Sequence, residues 1–178
     1  MSIVNWDNFN ILFDDCRHEF EYFAYQLFCY EFGQKYGIYR FYNQPYIETE
    51  PIIFKNDYIG FQAKYYDAGT LLSNRKSELI EAIKQSSEKY PGINRFIIYT
   101  NKEFGASNDT NNTQPKAKEE IETAGQTLGI SVEWRMQSHF EIMALKKDLS
   151  AVFDYFFNPN KGIRDFLKKI EEHKISIL

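Results

Sequence analysis

Residues 46–54 and 58–66 are two runs rich in Ile, Phe and Tyr, separated by the short polar sequence Lys-Asn-Asp. Such residues favour strands, and a short polar segment between two of these runs predicts a β-hairpin. A three-residue turn would pair Phe54 with Tyr58. Because opposed residues on paired strands point the same way, this register fixes which side chains share each face of the hairpin.

The same register sets Glu50 opposite Gln62 and Glu48 opposite Lys64. Directly opposed residues have Cβ atoms roughly 4.5–5.5 Å apart, so two acids, an amide and an ammonium would share one small patch. Pro51 indicates an edge or a bend in the first strand, since proline cannot donate to a ladder. We expect a metal-and-water site on this patch. The alternative is a solvated sheet face, and a turn one residue shorter or longer would separate these side chains.

Composition describes an ordinary globular protein. The 178 residues suit one domain with a sizeable core, and 43% of them are hydrophobic and 26% charged. The formal net charge of −4 argues against tight autonomous binding to DNA, because phosphate contacts dominate the affinity of such proteins. The sequence shows no signal-peptide pattern and no apolar run of membrane-spanning length, which predicts a cytoplasmic protein without a membrane partner.

Hydrophobic periodicity predicts alternating helices and strands around the hairpin. A long helix capped by Asp14 or Asp15 should end near Phe32, before Gly33. Strands followed by strand–helix alternation predict an α/β sandwich with a mixed sheet. The other predicted elements are helices at 4–13, 71–89, 116–128 and 140–146, strands at 37–42, 95–101 and 130–136, and a mobile loop at 104–115.

The chain divides into three parts on this prediction: an N-terminal extension at 1–14, a domain at 15–146, and a helical C-terminal extension at 147–178. The last part includes an amphipathic helix whose apolar face would pack onto a partner, a second copy of the chain, or a further domain reached through this segment. The residues on that face are Ile163, Phe166, Leu167 and Ile170.

Three motifs, in this order, resemble the PD-(D/E)xK nuclease superfamily and within it the Mrr-like restriction endonucleases. They are a Phe-Glu pair ending at Glu21 in an early helix, an acid in the sequence YIETEP, and the Gln-x-Lys sequence formed by Gln62 and Lys64. The resemblance covers about residues 15 to 145. Glutamate replaces the usual aspartate, and Tyr46 replaces the glycine that usually precedes it.

The resemblance implies a restriction-endonuclease-like three-layer sandwich with a mixed central sheet flanked by helices. It also implies a Mg²⁺-dependent (or Mn²⁺-dependent) DNA endonuclease domain of a bacterial defence or restriction system, fused in the full-length protein to a sensor or NTPase domain. Glu48 would be the principal metal ligand, assisted by the carbonyl oxygen of Gln62 and by Glu50, although either acid can be aligned with the family's acid. Lys64 would orient or deprotonate the attacking water, and Glu21 would be an outer-shell acid.

Arg75 and Lys76 follow the Gln-x-Lys strand and are candidate contacts to a DNA backbone, with a solvated surface as the alternative. Two other functions fit the same residues. A nuclease-fold module whose site has decayed could bind nucleic acid or form homo-oligomers, which would agree with the acidic net charge and the glutamate. A purely structural domain could tether a sensor.

Overall fold

The computed structural model describes residues 3–41, 45–105 and 115–160. Within these ranges the chain forms six α-helices and one four-stranded sheet. The helices are α1 (Trp6–Leu12), α2 (Cys16–Glu31), α3 (Lys76–Lys89), α4 (Lys116–Thr127), α5 (Gln137–Ala144) and α6 (Ser150–Phe157). The strands are β1 (Ile52–Phe54), β2 (Asp57–Lys64), β3 (Arg95–Thr100) and β4 (Ser131–Arg135), and short 3₁₀ turns occupy Leu72–Arg75 and Lys147–Leu149.

The sheet is mixed, with the strand order β1-β2-β3-β4. β1 and β2 are antiparallel, whereas β2, β3 and β4 are mutually parallel. The crossover from β2 to β3 contains α3 and the crossover from β3 to β4 contains α4, as parallel neighbours require. The prediction of an α/β fold with a mixed sheet is therefore confirmed.

Helix α2 begins and ends where the sequence predicted. The side chain of Asp15 accepts a hydrogen bond of 3.1 Å from the backbone N–H of His18, which satisfies a donor in the first turn. Gly33 follows the helix with a φ of +63°, a left-handed conformation that glycine adopts without a steric penalty. The long helix is thereby fixed at both ends.

Two hydrophobic clusters occupy opposite faces of the sheet. Helices α1, α2, α5 and α6 contribute to the first cluster, and α3 and α4 to the second, so helices cover both faces. Phe9 of α1 packs against Phe157 of α6 with ring centroids 5.7 Å apart. The first core therefore includes residues on both sides of the expected 15–146 segment. Helix α6 lies within the expected helical extension at 147–178, although its individual bounds were not predicted.

The predicted hairpin register is wrong. The turn contains two residues, Lys55 and Asn56, and Phe54 pairs with Asp57 instead of with Tyr58. Contacts from the next strand hold Asp57 and Tyr58 in β2: Arg95 lies 3.5 Å from the Asp57 carboxylate, and the Asn94 side chain accepts from the Tyr58 N–H at 2.8 Å. Lys55 accommodates the tighter turn with a φ of +57°.

The predicted strand at 37–42 is also wrong over its described part, residues 37–41. That segment forms one isolated bridge, between Arg40 and Thr49. The hydroxyl of Tyr25 explains the difference, because it accepts from the N–H of Ile38 and donates to its C=O, both at 2.9 Å. These backbone groups are therefore satisfied by α2 and not by a neighbouring strand.

Some predictions fall outside the described residues. They include most of the predicted loop at 104–115 and the whole amphipathic helix of the C-terminal extension. Within the ranges that the structure describes, none of the helices has both the length and the apolar character that a membrane span needs.

Candidate functional site

Glu48 precedes β1 in the sequence and lies beside the edge of β2, next to Phe61 and Ala63. Its backbone N–H donates to the C=O of Phe61 at 3.0 Å, and its side-chain Oε1 accepts from the N–H of Ala63 at 3.0 Å. The carbonyl of Tyr46 does not take that position, because it accepts instead from the Ser86 hydroxyl of α3 at 3.1 Å. The Glu48 carboxylate thus replaces a backbone acceptor, and its residue is only 6% exposed.

The charge state of Glu48 is finely balanced. Burial raises the pKa of its carboxyl to about 7, and the negative charge of Glu21 acts in the same direction. The hydrogen bond from Ala63 and the positive charges of Lys64 and Arg40 oppose this increase. Near neutral pH the side chain can therefore exist as an acid or as a carboxylate.

Glu21 brings a second carboxyl to the same edge from α2. Its neighbours in sequence, Phe20 and the residues at helical spacing from it, are buried against the sheet, which places Glu21 at the border of the apolar stripe. Burial is the main cause that raises its pKa, while His18, Arg40 and Lys64 lower it. Because the negative charge of Glu21 disfavours ionised Glu48, a cation bound between the two carboxyls would favour the charged form.

Gln62 and Lys64 point toward the α3 face of the sheet. Side chains alternate along β2, and both lie on the side of Gly60, where an added Cβ would come within 2.7 Å of Ile47 and Ile93 in the α3-side cluster. Gln62 is 1% exposed, and its amide nitrogen donates to the C=O of Pro45. Its carbonyl oxygen has no hydrogen-bond partner within the described chain.

The shared patch predicted from the three-residue turn does not form. Ile47 packs on the α3 side, so Glu48 projects the other way, toward the α2 side and the Ala63 N–H. The side chains of Gln62 and Glu48 therefore project from opposite faces of the sheet. Glu50 is exposed and lies within electrostatic range of Tyr90 at the end of α3. Glu48 and Gln62 lie on opposite faces because the turn has two residues instead of three. A register shift of one residue moves the side chains of one strand to the other face of the sheet.

Lys64 connects the two faces. Its ammonium lies 3.0 Å from the Glu78 carboxylate in the first turn of α3. Its charge also lowers the pKa of Glu48 and of Glu21. Lys64 thus shares a neighbourhood with both acids of the α2 side while it pairs with an acid of the α3 side.

Arg40 belongs to the same neighbourhood and was missed from the sequence. Its guanidinium lies over the rings of Tyr22 and Tyr25, 5.4 and 5.2 Å from their centroids. From there its charge favours ionised Glu21 and Glu48. The available signal was an arginine within an aromatic run, eight positions before Glu48.

The two residues predicted to contact DNA are paired within the chain. Arg75 lies 3.8 Å from Glu78 and places its guanidinium over the ring of Tyr66, 5.4 Å from the centroid. Lys76 is ion-paired with Glu120 of α4. Glu78 was also missed, because the helix predicted to begin at residue 71 placed Glu78 beyond its first turn, whereas α3 begins at Lys76.

The α2-side carboxyls fit a magnesium ion better than the predicted set. Mg²⁺ is usually held by one or two carboxylates together with waters, and Glu48 and Glu21 supply two. The unpaired carbonyl oxygen of Gln62 is a chemically suitable donor, but it lies on the opposite face. Among the described residues, no group of three or more His, Cys, Asp or Glu side chains could hold a metal ion, so a site here would depend on two carboxylates.

Comparison with known proteins leaves this geometry as the main guide to function. The chain matches no family model, and no curated protein matches it significantly. The resemblance to PD-(D/E)xK nucleases therefore stays a prediction from the three sequence motifs.

Proposed function

We propose that this chain is a Mg²⁺-dependent nuclease domain that hydrolyses phosphodiester bonds of DNA. The observation that carries the proposal is the buried Glu48 carboxylate on the Ala63 N–H, with Glu21 and Lys64 acting on its charge. This places two acids and an ammonium at the end of the strand that carries Gln62-Ala63-Lys64. Action within a bacterial defence system belongs to the same proposal and is supported by the motif resemblance alone.

Each residue has a definite part in the proposed reaction. Glu48 and Glu21 would hold the metal ion. When bound, Mg²⁺ supplies a Lewis acid and a water of lowered pKa. Lys64 would offset the negative charge that develops on the phosphate. The Ala63 N–H fixes one Glu48 oxygen, which orients the carboxylate before metal or substrate arrives.

The acidic character of the site leads to a specific expectation about DNA. Two carboxylates at one edge repel phosphate, and the whole chain carries a formal charge of −4. A bound divalent cation would neutralise those two charges. DNA binding, and not only cleavage, should therefore depend on Mg²⁺.

The direct test is a cleavage assay with purified protein. Plasmid and linear DNA are incubated with Mg²⁺, Mn²⁺ or EDTA, using wild type, Glu48→Gln, Lys64→Met and the exposed-site control Glu88→Gln. We expect metal-dependent cleavage by wild type and Glu88→Gln, and losses of about 100-fold or more in the other two variants. Equal residual cleavage in all four proteins would indicate a contaminating nuclease and contradict the proposal.

A second candidate function keeps the fold without the reaction. It is favoured by the placement of Gln62, whose amide is tied to Pro45 on the face opposite Glu48. A module of this kind would bind DNA in a salt-dependent manner without cleavage and without a requirement for Mg²⁺. Fluorescence anisotropy with labelled DNA, measured with Mg²⁺ and with EDTA over a range of salt, distinguishes it from the nuclease.

A further inference from the structure

Lys64 has a defined partner that the motif resemblance does not supply. Its Nζ lies 3.0 Å from Oε1 of Glu78, and its side chain is 22% exposed. The second Glu78 oxygen lies 3.8 Å from the guanidinium of Arg75. Both carboxylate oxygens therefore face cations, one from the end of β2 and one from the 3₁₀ turn that precedes α3.

Tyr66 completes the surroundings of Glu78. It lies two residues beyond Lys64, on the same face by alternation, and it is buried. Burial is the main cause that raises its pKa, and the Glu78 charge is the next. The Arg75 guanidinium covers the Tyr66 ring at 5.4 Å. Glu78 thus has Lys64, Arg75 and Tyr66 around it, which restricts where its carboxylate can lie.

Stability alone does not account for this arrangement. The Glu78 side chain is 38% exposed, and ion pairs at this exposure contribute little to stability. A lysine side chain has high rotamer freedom, and fixing it carries an entropic penalty. If Lys64 is already fixed before the substrate binds, its loss of rotamer entropy does not add to the activation barrier. This is how preorganisation helps a catalytic cation.

We propose that Glu78 is a positioning residue that holds the Lys64 ammonium ready for the scissile phosphate, an inference that rests on the proposed nuclease function. Glu78 touches neither metal nor substrate. It acts through Lys64, and Arg75, 3.8 Å from its second oxygen, keeps its carboxylate in place. The phosphate competes with Glu78 for the ammonium during the reaction.

The test compares Glu78→Gln with Glu81→Gln, an identical change at an exposed position of the same helix whose carboxylate accepts from Gln85. Because Lys64 helps the chemical step, Glu78→Gln should lower kcat about tenfold with little change in KM, and Glu78→Asp should recover part of the loss. Glu81→Gln should match wild type. Melting temperatures measured alongside separate a loss of folding from a loss of rate.

A second readout does not require activity. Limited acylation with an amine-reactive reagent, quantified at Lys64 by mass spectrometry, should increase severalfold in Glu78→Gln and stay unchanged in Glu81→Gln. If wild type cleaves DNA but Lys64 labelling or kcat is the same in both variants, the positioning role is overturned while the nuclease stands. If labelling responds but wild type never cleaves DNA with Mg²⁺, the nuclease proposal fails and the catalytic role of Glu78 fails with it.

Discussion

The Glu48 carboxylate accepts a 3.0 Å hydrogen bond from the backbone N–H of Ala63, in the place where a paired strand would present a carbonyl oxygen. An ionisable side chain therefore accepts a hydrogen bond that would otherwise go to a backbone carbonyl of the sheet at the candidate site. The same burial that orients this carboxylate raises its pKa to about 7. The burial of Glu48 therefore sets both the orientation of its carboxyl group and its protonation state.

Glu48→Gln should change how stability depends on pH. The folded pKa of Glu48 is raised from 4.5 to about 7, so its stabilising contribution is present below 4.5 and is lost as the pH rises through 7. In EDTA, the free energy of unfolding of wild type should fall by up to roughly 3 kcal/mol between about pH 5 and pH 8 from this group. The variant keeps an acceptor for Ala63 and should lack this decrease.

Urea denaturation at both pH values measures the effect on Glu48, with Glu81→Gln as the control. Parallel pH profiles for wild type and Glu48→Gln would show that the carboxyl titrates normally in the folded state.

His139 should produce the opposite dependence. Burial lowers its pKa to about 4, and the charge of Arg135 acts in the same direction, while Glu31 at 3.7 Å partly opposes them. The folded protein therefore binds this proton less readily than the unfolded chain. The contribution of neutral His139 to the free energy of unfolding is fully present above pH 6.5 and is lost as the pH falls toward 4. Allowing for partial exposure, the loss by about pH 5 should be roughly 1–2 kcal/mol.

The same denaturation experiment on His139→Gln checks this, because glutamine cannot titrate. His18→Gln removes an exposed histidine and serves as the control. An unchanged acid limb in His139→Gln would assign the loss of stability to other groups.

Glu50→Gln should leave DNA cleavage within about twofold of wild type, unlike Glu48→Gln. Glu50 is exposed and acts on Tyr90 at the end of α3, whereas Glu21 is the acid that acts on Glu48, so we do not expect Glu50 to hold the metal. Initial rates at saturating Mg²⁺ compare the two variants. A large loss in Glu50→Gln alone would identify Glu50 as the principal acid, which was the other alignment of the motif.

Lys55→Gly should stabilise the protein. Lys55 has a φ of +57°, a conformation that costs a non-glycine residue about 1 kcal/mol. Relief of this strain should exceed the entropy that glycine adds to the unfolded chain, for a net gain of about 0.5 kcal/mol, and Lys55→Ala should show no gain. Melting temperature reports the difference. Destabilisation by glycine would show that the turn does not have this two-residue geometry.

Local sequence signals were enough to predict most of the helices and the central strand. In α2, Phe20, Ala24 and Leu27 recur at helical spacing between a capping aspartate and a terminating glycine, and these local signals need no distant partner. The apolar run of β3 likewise predicted a buried central strand, and it is one. Periodicity and end signals act within a few residues, which is why they can be read from the chain alone.

The register of the hairpin and the composition of the site depend on contacts between segments that are distant in the sequence. Asp57 can serve equally in a turn or in a strand, and contacts from Arg95, 38 positions away, help hold it in the strand. That shift of one residue separated Gln62 from Glu48. The pairing of Lys64 with Glu78 also depends on how α3 packs against β2. Contacts between distant segments form only when the packed layers bring them together, so no local pattern could specify them.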